Sequence, residues 1–331
     1  MDMNWNNKQV LVTGAGGFIA SHLVERLVAE GAKVRAFVRY NSRGDAGLLR
    51  LLPVNVYSQL EVVAGDLRDP EAVREAMKDV DTVFHLGALI AIPYSYVHPR
   101  EVVETNVMGT LNVLMSAREL GTRRVIHTST SEVYGTAQYV PIDEKHPLQG
   151  QSPYSASKIG ADRIAESFYR SFNVPVVTLR PFNTFGPRQS ARAVIPTIIS
   201  QALTREEVKL GSLDPSRDFT FVADTVEGFL QVASTENVLG EEINLGNDNT
   251  IRIGDLAEKI FGILGRTPKL VADPQRVRPG KSEVIKLWAS NQKAKEMIGW
   301  EPRVSLDEGL RRTIEWIKPH LDLYQPDRYT V

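Results

Sequence analysis

The chain has 331 residues, 24% of them charged and 42% hydrophobic, with a formal net charge of -1 and no cysteine. Such a composition excludes disordered and fibrous classes, and the balanced charge, without a long basic run, argues against nucleic acid or an anionic membrane as partner. Disulfides, thiolate nucleophiles and cysteine metal sites are excluded, and the length exceeds what one growing core serves, so a second lobe is expected.

The polar start "MDMNWNNKQ" leads straight toward a strand, and no apolar run approaches the roughly 18 residues of a membrane helix. A soluble, cytoplasmic protein is expected. Short apolar runs then follow as strands: "VLVT" (10–13), "VRAFV" (34–38), "EVVAG" (61–65), "TVFHLG" (82–87), "RVIHTS" (124–129) and "VVTLR" (176–180). Between them lie the helix-length segments "SHLVERLVAEG", "PEAVREAMKD", "VVETNVMGTLNVLMSARELG" and "SKIGADRIAESFYRSF". Strands apolar on both faces and joined by helices predict an α/β fold, a doubly wound parallel sheet of Rossmann type.

Past Arg180 the alternation breaks. "VKLGSLDPSRDFTFVAD" reads as strand, loop and strand, "TVEGFLQVAST" as a helix, and "EINLG" as one more strand of the main sheet. The dinucleotide-binding domain is therefore expected over residues 1–181 plus about 221–246, and a smaller, discontinuous C-terminal lobe for substrate over 182–220 plus 247–331. The cleft between them is the expected ligand site. The six histidines form no i, i+4 pair and no zinc-like cluster, so no metal is expected.

"VLVTGAGGFIASHLVERL" sets Gly14, Gly16 and Gly17 between a strand and a helix, where glycine lets backbone amides approach a pyrophosphate at the positive helix end. The second strand ends in "FVRYNSRG", without the acid that would hold an adenosine ribose. Arg39 and Arg43 bracket Ser42 there and suit a 2′-phosphate, so NADP is favoured, with NAD the alternative. Asp66 in "GDLRD" can face an adenine amino group, and Gly87 and Ala88 in "HLGA" let backbone meet the cofactor.

"SPYSASKIGAD" puts Tyr154 and Lys158 at i and i+4 on one face of a helix that Ser152 and Pro153 introduce. A lysine one turn from a tyrosine can hold the phenolate by its charge and reach a nicotinamide ribose. "HTSTSEVYG", directly after the fifth strand, packs Thr130, Ser131 and Glu132 side by side. By themselves these residues read equally as a capped helical turn or as a proton-handling site.

Taken in order, TGAGGFIASH, GDL, HLGA, NVMGT, STSEVYG and YSASK resemble the extended short-chain dehydrogenase/reductase family over essentially the whole chain. The resemblance implies a dinucleotide-binding Rossmann lobe, a nucleotide-sugar lobe, and a homodimer packed through helices at 101–120 and 154–172. It also implies cofactor contacts from Phe18, Ile19, Leu67, Leu86 and Pro181. Within the family the wording is most similar to nucleotide-sugar 4,6-dehydratases of the legionaminic-acid pathway type, which act on GDP- or UDP-N-acetylglucosamine. In that reading Tyr154 takes the C4 hydroxyl proton with Thr130 sharing its hydrogen bond and Lys158 lowering the phenol pKa. Glu132 removes the C5 proton, and Ser131 stands where dTDP-glucose dehydratases carry an aspartate acid. UDP-glucuronate decarboxylases and 4-epimerases on the same scaffold are the alternatives, and a cofactor-binding regulator without turnover is the remote one.

For the substrate, the resemblance implies Asn183 in "RPFNTFGPR", and Arg217 and Arg278 as guanidinium forks for the diphosphate. Arg188 and Arg192, on the loop entering the second lobe, are candidates for ribose, phosphate or base. Tyr94 and Ser95 in "AIPYSYVHP" are candidates for the sugar pocket.

Overall fold

The computed structural model describes residues 5–324. Seven parallel strands make the central sheet: β1 (Gln9–Thr13), β2 (Lys33–Arg39), β3 (Glu61–Gly65), β4 (Thr82–His85), β5 (Arg124–Thr128), β6 (Val176–Pro181) and β7 (Glu242–Leu245). Their order is β7-β6-β5-β4-β1-β2-β3. The chain therefore reverses its direction of growth between β1 and β4, and a doubly wound sheet opens its ligand crevice beyond the carboxyl ends of the strands at that switch. The glycine loop after β1, "LGA" after β4 and "STSE" after β5 all lie at this edge.

Every residue of β4 is buried, and β1 is buried after Gln9. The reason is that helices cover both faces, so the strands need no polar alternation. Over one face lie the helices Phe18–Ala29 and Val222–Ser234, which bury Leu23, Leu27, Phe229 and Val232. Over the other lie Pro70–Ala76, Gly109–Leu120 and Pro153–Phe172, burying Val73, Leu114, Ala165 and Phe168. The first of these cores runs on without a break into Ile195, Ile199, Leu256 and Leu310. Among the described residues no helix is long and apolar enough to cross a membrane.

Two expectations about elements need correction. "RDFTFVAD" is not one strand: it contributes only the two-residue strands Ser216–Arg217 and Thr220–Phe221, and the helix Val222–Ser234 begins within it. Asp218 breaks the extended run, because its carboxylate turns inward to accept the backbone amides of Asn247 at 2.7 Å and Ala289 at 3.1 Å. The segment expected as one helix over 101–120 is likewise interrupted by a π-helical turn, Glu104–Met108. Asn106, in that turn, accepts from the Leu89 amide at 2.8 Å and donates to the Leu89 carbonyl and to Ser157 Oγ, both at 2.9 Å. The widened turn thus pins the loop after β4 to the helix that carries Tyr154, the kind of place where π turns recur.

Candidate active site

The cofactor end is built on backbone. Gly14 has φ +65°, and a Cβ there would lie 2.7 Å from the Gly87 Cα, so only glycine permits the loops after β1 and β4 to close on one another. Gly17 donates to the Gly14 carbonyl at 2.8 Å and begins the Phe18–Ala29 helix with no side-chain cap and no acid in its first turn. The amides of Phe18, Ile19 and Ala20 are left as donors at the positive end of the helix, a cradle suited to a pyrophosphate. Leu67 is buried between Gly87 and Gly109, while Leu86, Ala88 and Pro181 are half-buried at the same edge.

Asp66, half-exposed, holds Arg68 at 2.6 Å, and this hydrogen bond keeps its carboxyl below the usual range. Arg39 is 63% exposed and pairs with Glu101 at 3.1 Å. Glu101 also accepts the Tyr94 hydroxyl, so Tyr94 stands beside Arg39 on the same carboxylate. Ser42 and Arg43 are exposed on the following loop.

The chemical end centres on the helix Pro153–Phe172. Ser152 and Ser155 cap it reciprocally, at 3.1 and 2.9 Å, with Pro153 in the first turn. Thr130 caps the short 3-10 helix Ser131–Tyr134 by accepting from the Glu132 amide at 3.2 Å, and its hydroxyl also hydrogen-bonds Tyr154. "HTSTSEVYG" is therefore both things it could be: a capped turn, and a turn that brings Thr130 and Glu132 to the tyrosine.

Lys158 is buried and donates to the Thr128 carbonyl at 2.6 Å, and burial lowers its pKa to about 8 against the opposing charge of Asp162. The expected lowering of the phenol by Lys158 is not what this state shows. Burial pushes Tyr154 well above its ordinary value, with only the Thr130 hydrogen bond pulling it down, because the ammonium is directed to the Thr128 carbonyl. Below Lys158, Asp162 takes His127 at 3.0 Å, Ser129 at 2.7 Å and Arg180 at 3.1 Å. Burial alone would raise Asp162, but the His127 hydrogen bond and the Arg180 charge bring it down to about 2. Arg180 also reaches the Tyr134 hydroxyl at 3.0 Å and Glu242 at 2.7 Å.

At the substrate end four charges converge. Glu132 Oε1 lies 4.0 Å from Arg278, Arg278 lies 3.9 Å from Glu283, and Glu283 lies 3.2 Å from Arg217. The Glu132 charge also acts on both Arg217 and Tyr154, so this carboxylate lies near the phenol as well as the guanidiniums. Asn183 donates its amide to the carbonyl of Asp218, the residue after Arg217, at 3.1 Å.

Three candidates do not join this group. Ser95 is fully buried and donates to the Ile92 carbonyl at 2.7 Å, a local helical bond that leaves no hydroxyl for a sugar. Arg188, at φ +67° and buried, turns back to the Phe18–Ala29 helix, where it meets His22 at 2.6 Å and Glu25 at 2.5 Å. Burial and this guanidinium lower His22 to about 3, so the contact is a neutral-imidazole clamp on the cofactor helix. Arg192 is exposed and touches only its neighbour Ser190, at 3.3 Å. Ser131 is buried in the turn that holds Glu132.

Sequence reasoning missed Glu283, Asp162 and Glu101. Asp162 had a signal, since it stands one helical turn beyond Lys158 on the same face. Glu101 and Glu283 had none, because both meet their arginines across loops.

Residues 11–313 match the family model described as GDP-mannose 4,6 dehydratase. The chain belongs to that family, within the extended short-chain dehydrogenases/reductases that its motifs resemble. It is 32% identical over 326 residues to a mouse dTDP-D-glucose 4,6-dehydratase, covering 94% of this chain and 89% of that one. A solved epimerase from Methanothermobacter thermautotrophicus superposes with a TM-score of 0.88 at 30% identity, covering 96% and 94% of the two chains. A dTDP-glucose 4,6-dehydratase from Streptomyces venezuelae, solved with NAD bound, gives 0.87 at 28% identity over 97% of this chain and all of that one. The expected preference for NADP finds no support: the Streptomyces relative holds NAD, and Arg39, the residue that suggested a 2′-phosphate, is paired with Glu101.

Proposed function

We propose that this protein is an NAD-using nucleotide-sugar 4,6-dehydratase, with GDP- or UDP-N-acetylglucosamine as the favoured substrate, working in the cleft between the lobes at 1–181 plus 221–246 and 182–220 plus 247–331. One observation carries this reading. Glu132, held by a turn capped by Thr130, lies 4.0 Å from Arg278 and close enough for its charge to act on both Arg217 and Tyr154, a carboxylate near the phenol and the guanidiniums that a nucleotide sugar would engage.

The glycine cradle and the uncapped Phe18–Ala29 helix fit a dinucleotide, and NAD when bound would take a hydride from the sugar C4 and return it at C6. Tyr154, as phenolate, takes the C4 hydroxyl proton, with Thr130 sharing the hydrogen bond. Lys158 supports the phenolate once it turns its charge from the Thr128 carbonyl toward the phenol. With a ketone at C4 the C5 hydrogen is acidic. Glu132 takes it, and the same carboxyl hands the proton to the departing C6 hydroxyl, which leaves as water; Ser131 offers no acid of its own. Arg217 and Arg278 hold the diphosphate, with Asn183 beside them. Hydride return at C6 leaves an enolate, which is protonated at C5 while Tyr154 gives up the proton it took from the C4 hydroxyl and is restored as phenolate; the product is a 4-keto-6-deoxy sugar nucleotide.

A homodimer through the helices at 101–120 and 154–172 fits the exposed Met108, Met115 and Phe172 on them; sedimentation as a monomer would remove that part of the reading.

Decarboxylation and C4 epimerisation use the same first step, so the test must read the second. Incubation with nucleotide N-acetylglucosamine in deuterated water should give loss of one water and deuterium at C5. Carbon dioxide from a glucuronate substrate, or inversion at C4 alone, would overturn the dehydratase assignment. Glu132→Gln should lower elimination by about a thousandfold while reduced cofactor still accumulates from the C4 step.

A further inference from the structure

Glu283 belongs to a segment, Val277–Glu283, that is tied down at the two residues preceding it. Ser282 Oγ donates to the Gln151 carbonyl at 2.6 Å and accepts from the Tyr96 hydroxyl at 2.6 Å, and Gln151 Nε2 donates to the Lys281 carbonyl at 3.1 Å. These anchors fix the backbone so that the Glu283 carboxylate lies 3.2 Å from Arg217 and 3.9 Å from Arg278. Arg217 is buried and, among the described residues, has no other carboxylate in hydrogen-bond reach, while the buried Nη1 of Arg278 sits near Glu283 and Glu132 yet donates a hydrogen bond to neither. Two guanidiniums converging on one anionic group is the arrangement by which arginine pairs hold a phosphoryl group.

We propose that Glu283 is an internal stand-in for the substrate diphosphate: it occupies Arg217 and Arg278 until a nucleotide sugar displaces it, and so sets how tightly the nucleotide is held. This rests on the assignment of Arg217 and Arg278 to the diphosphate made above. The two guanidiniums and the carboxylates of Glu132 and Glu283 sum to no net charge. A diphosphate arriving while Glu283 keeps its place meets a like charge beside each arginine it seeks. The carboxylate must swing out, and its return helps expel the product. A residue that merely steadied Arg217 would act in the opposite sense, since its loss would loosen the arginine and weaken binding.

The sign of the effect separates the two. Calorimetric titration of the cofactor-loaded protein with GDP, UDP and dTDP, and with the corresponding nucleosides, is compared between wild type and Glu283→Gln. The amide keeps the acceptor oxygen and removes the charge, so the diphosphate that binds wild type should bind the variant about tenfold tighter, with nucleoside affinity unchanged. Should Glu283→Gln fail to fold by circular dichroism, Glu283→Asp, which keeps the charge but shortens its reach, should show a smaller gain of the same sign. Wild type binding a diphosphate that the variant binds equally or more weakly overturns the stand-in role and leaves the substrate class intact. Binding of no diphosphate by either protein overturns both.

Discussion

Two sets of buried or half-buried charges flank Glu132 and Tyr154, and they are built on opposite plans. Beneath the Tyr154 helix, Asp162 accepts from His127, Ser129 and Arg180, Arg180 donates to the Tyr134 hydroxyl and Lys158 to the Thr128 carbonyl, so every charged group of the set is hydrogen-bonded, with His127 Nδ1 the one ring nitrogen there without a partner among the described residues. Above it, Glu132, Arg217, Arg278 and Glu283 are spaced at 3.2 to 4.0 Å, with the Arg278 Nη1 left without a hydrogen bond. A closed network in low dielectric holds geometry, because any rearrangement strands a charge. An incompletely bonded one can accept a ligand in place of its own contacts. Order in the lower set and vacancy of bonding in the upper set are thus complementary requirements of one site.

The comparison breaks most readily at Asp162. Asp162→Asn leaves Arg180 buried with, among the described residues, only the Glu242 carboxylate to balance it, and turns one of the two oxygens that serve His127, Ser129 and Arg180 into an amide donor. A loss of about 3 to 5 kcal/mol in unfolding free energy is expected by urea titration, the cost of stranding a buried partner. An unchanged midpoint would mean that the lower set does not hold the helix, and the contrast would fall.

Lys158 tests the same set through pH. The folded chain holds this proton only to about 8, the unfolded chain to the ordinary lysine value of 10.5. Between those values the unfolded state binds more protons, so stability from this group rises with pH; below about 8 the full penalty of burying the ammonium is present, and above 10.5 it is gone. Relative to Lys158→Met, which has no such proton, the wild type should gain up to about 3 kcal/mol across that window. A difference that stays flat with pH would show that Lys158 is not held in its buried position on the Thr128 carbonyl.

Much of this was legible in local pattern and some was not. Gly14, Gly17, Tyr154 and Lys158 could be read because the chemistry they serve depends on neighbours in sequence: a strand-to-helix turn in one case, one helical turn in the other. Thr130 and Glu132 were legible as an ambiguity, and the structure keeps both sides of it, since the hydroxyl that caps the turn is also the one that reaches Tyr154. Arg188 and Ser95 were misplaced because direction, not identity, decides them. A left-handed residue sends Arg188 back to His22, and an intrahelical bond turns Ser95 inward, neither of which leaves a trace in residue type. The strand expected across "RDFTFVAD" failed for a similar reason: Asp218 is claimed by amides of Asn247 and Ala289, far along the chain.

The smallest effect is expected at the rim, and it bears on the cofactor. Arg39 suggested a 2′-phosphate from sequence, yet it is 63% exposed, already paired with Glu101 at 3.1 Å, and crowded by the Tyr94 hydroxyl on the same carboxylate. Exposed pairs of this kind contribute little, because water screens both partners and the long side chain must be held in one geometry. Arg39→Ala should therefore leave the melting temperature unchanged and alter NAD affinity by less than about threefold, since no 2′-phosphate awaits the guanidinium. NADP should bind more weakly than NAD to both proteins, because a phosphate added at that ribose would approach Glu101 and Asp66 together. If NADP instead binds wild type more tightly, and loses that advantage in Arg39→Ala, then Arg39 leaves Glu101 for the ligand. In that event the rim behaves like the set around Glu283, a carboxylate keeping an arginine until phosphate arrives, and the division between closed and open charge would extend along the whole cleft.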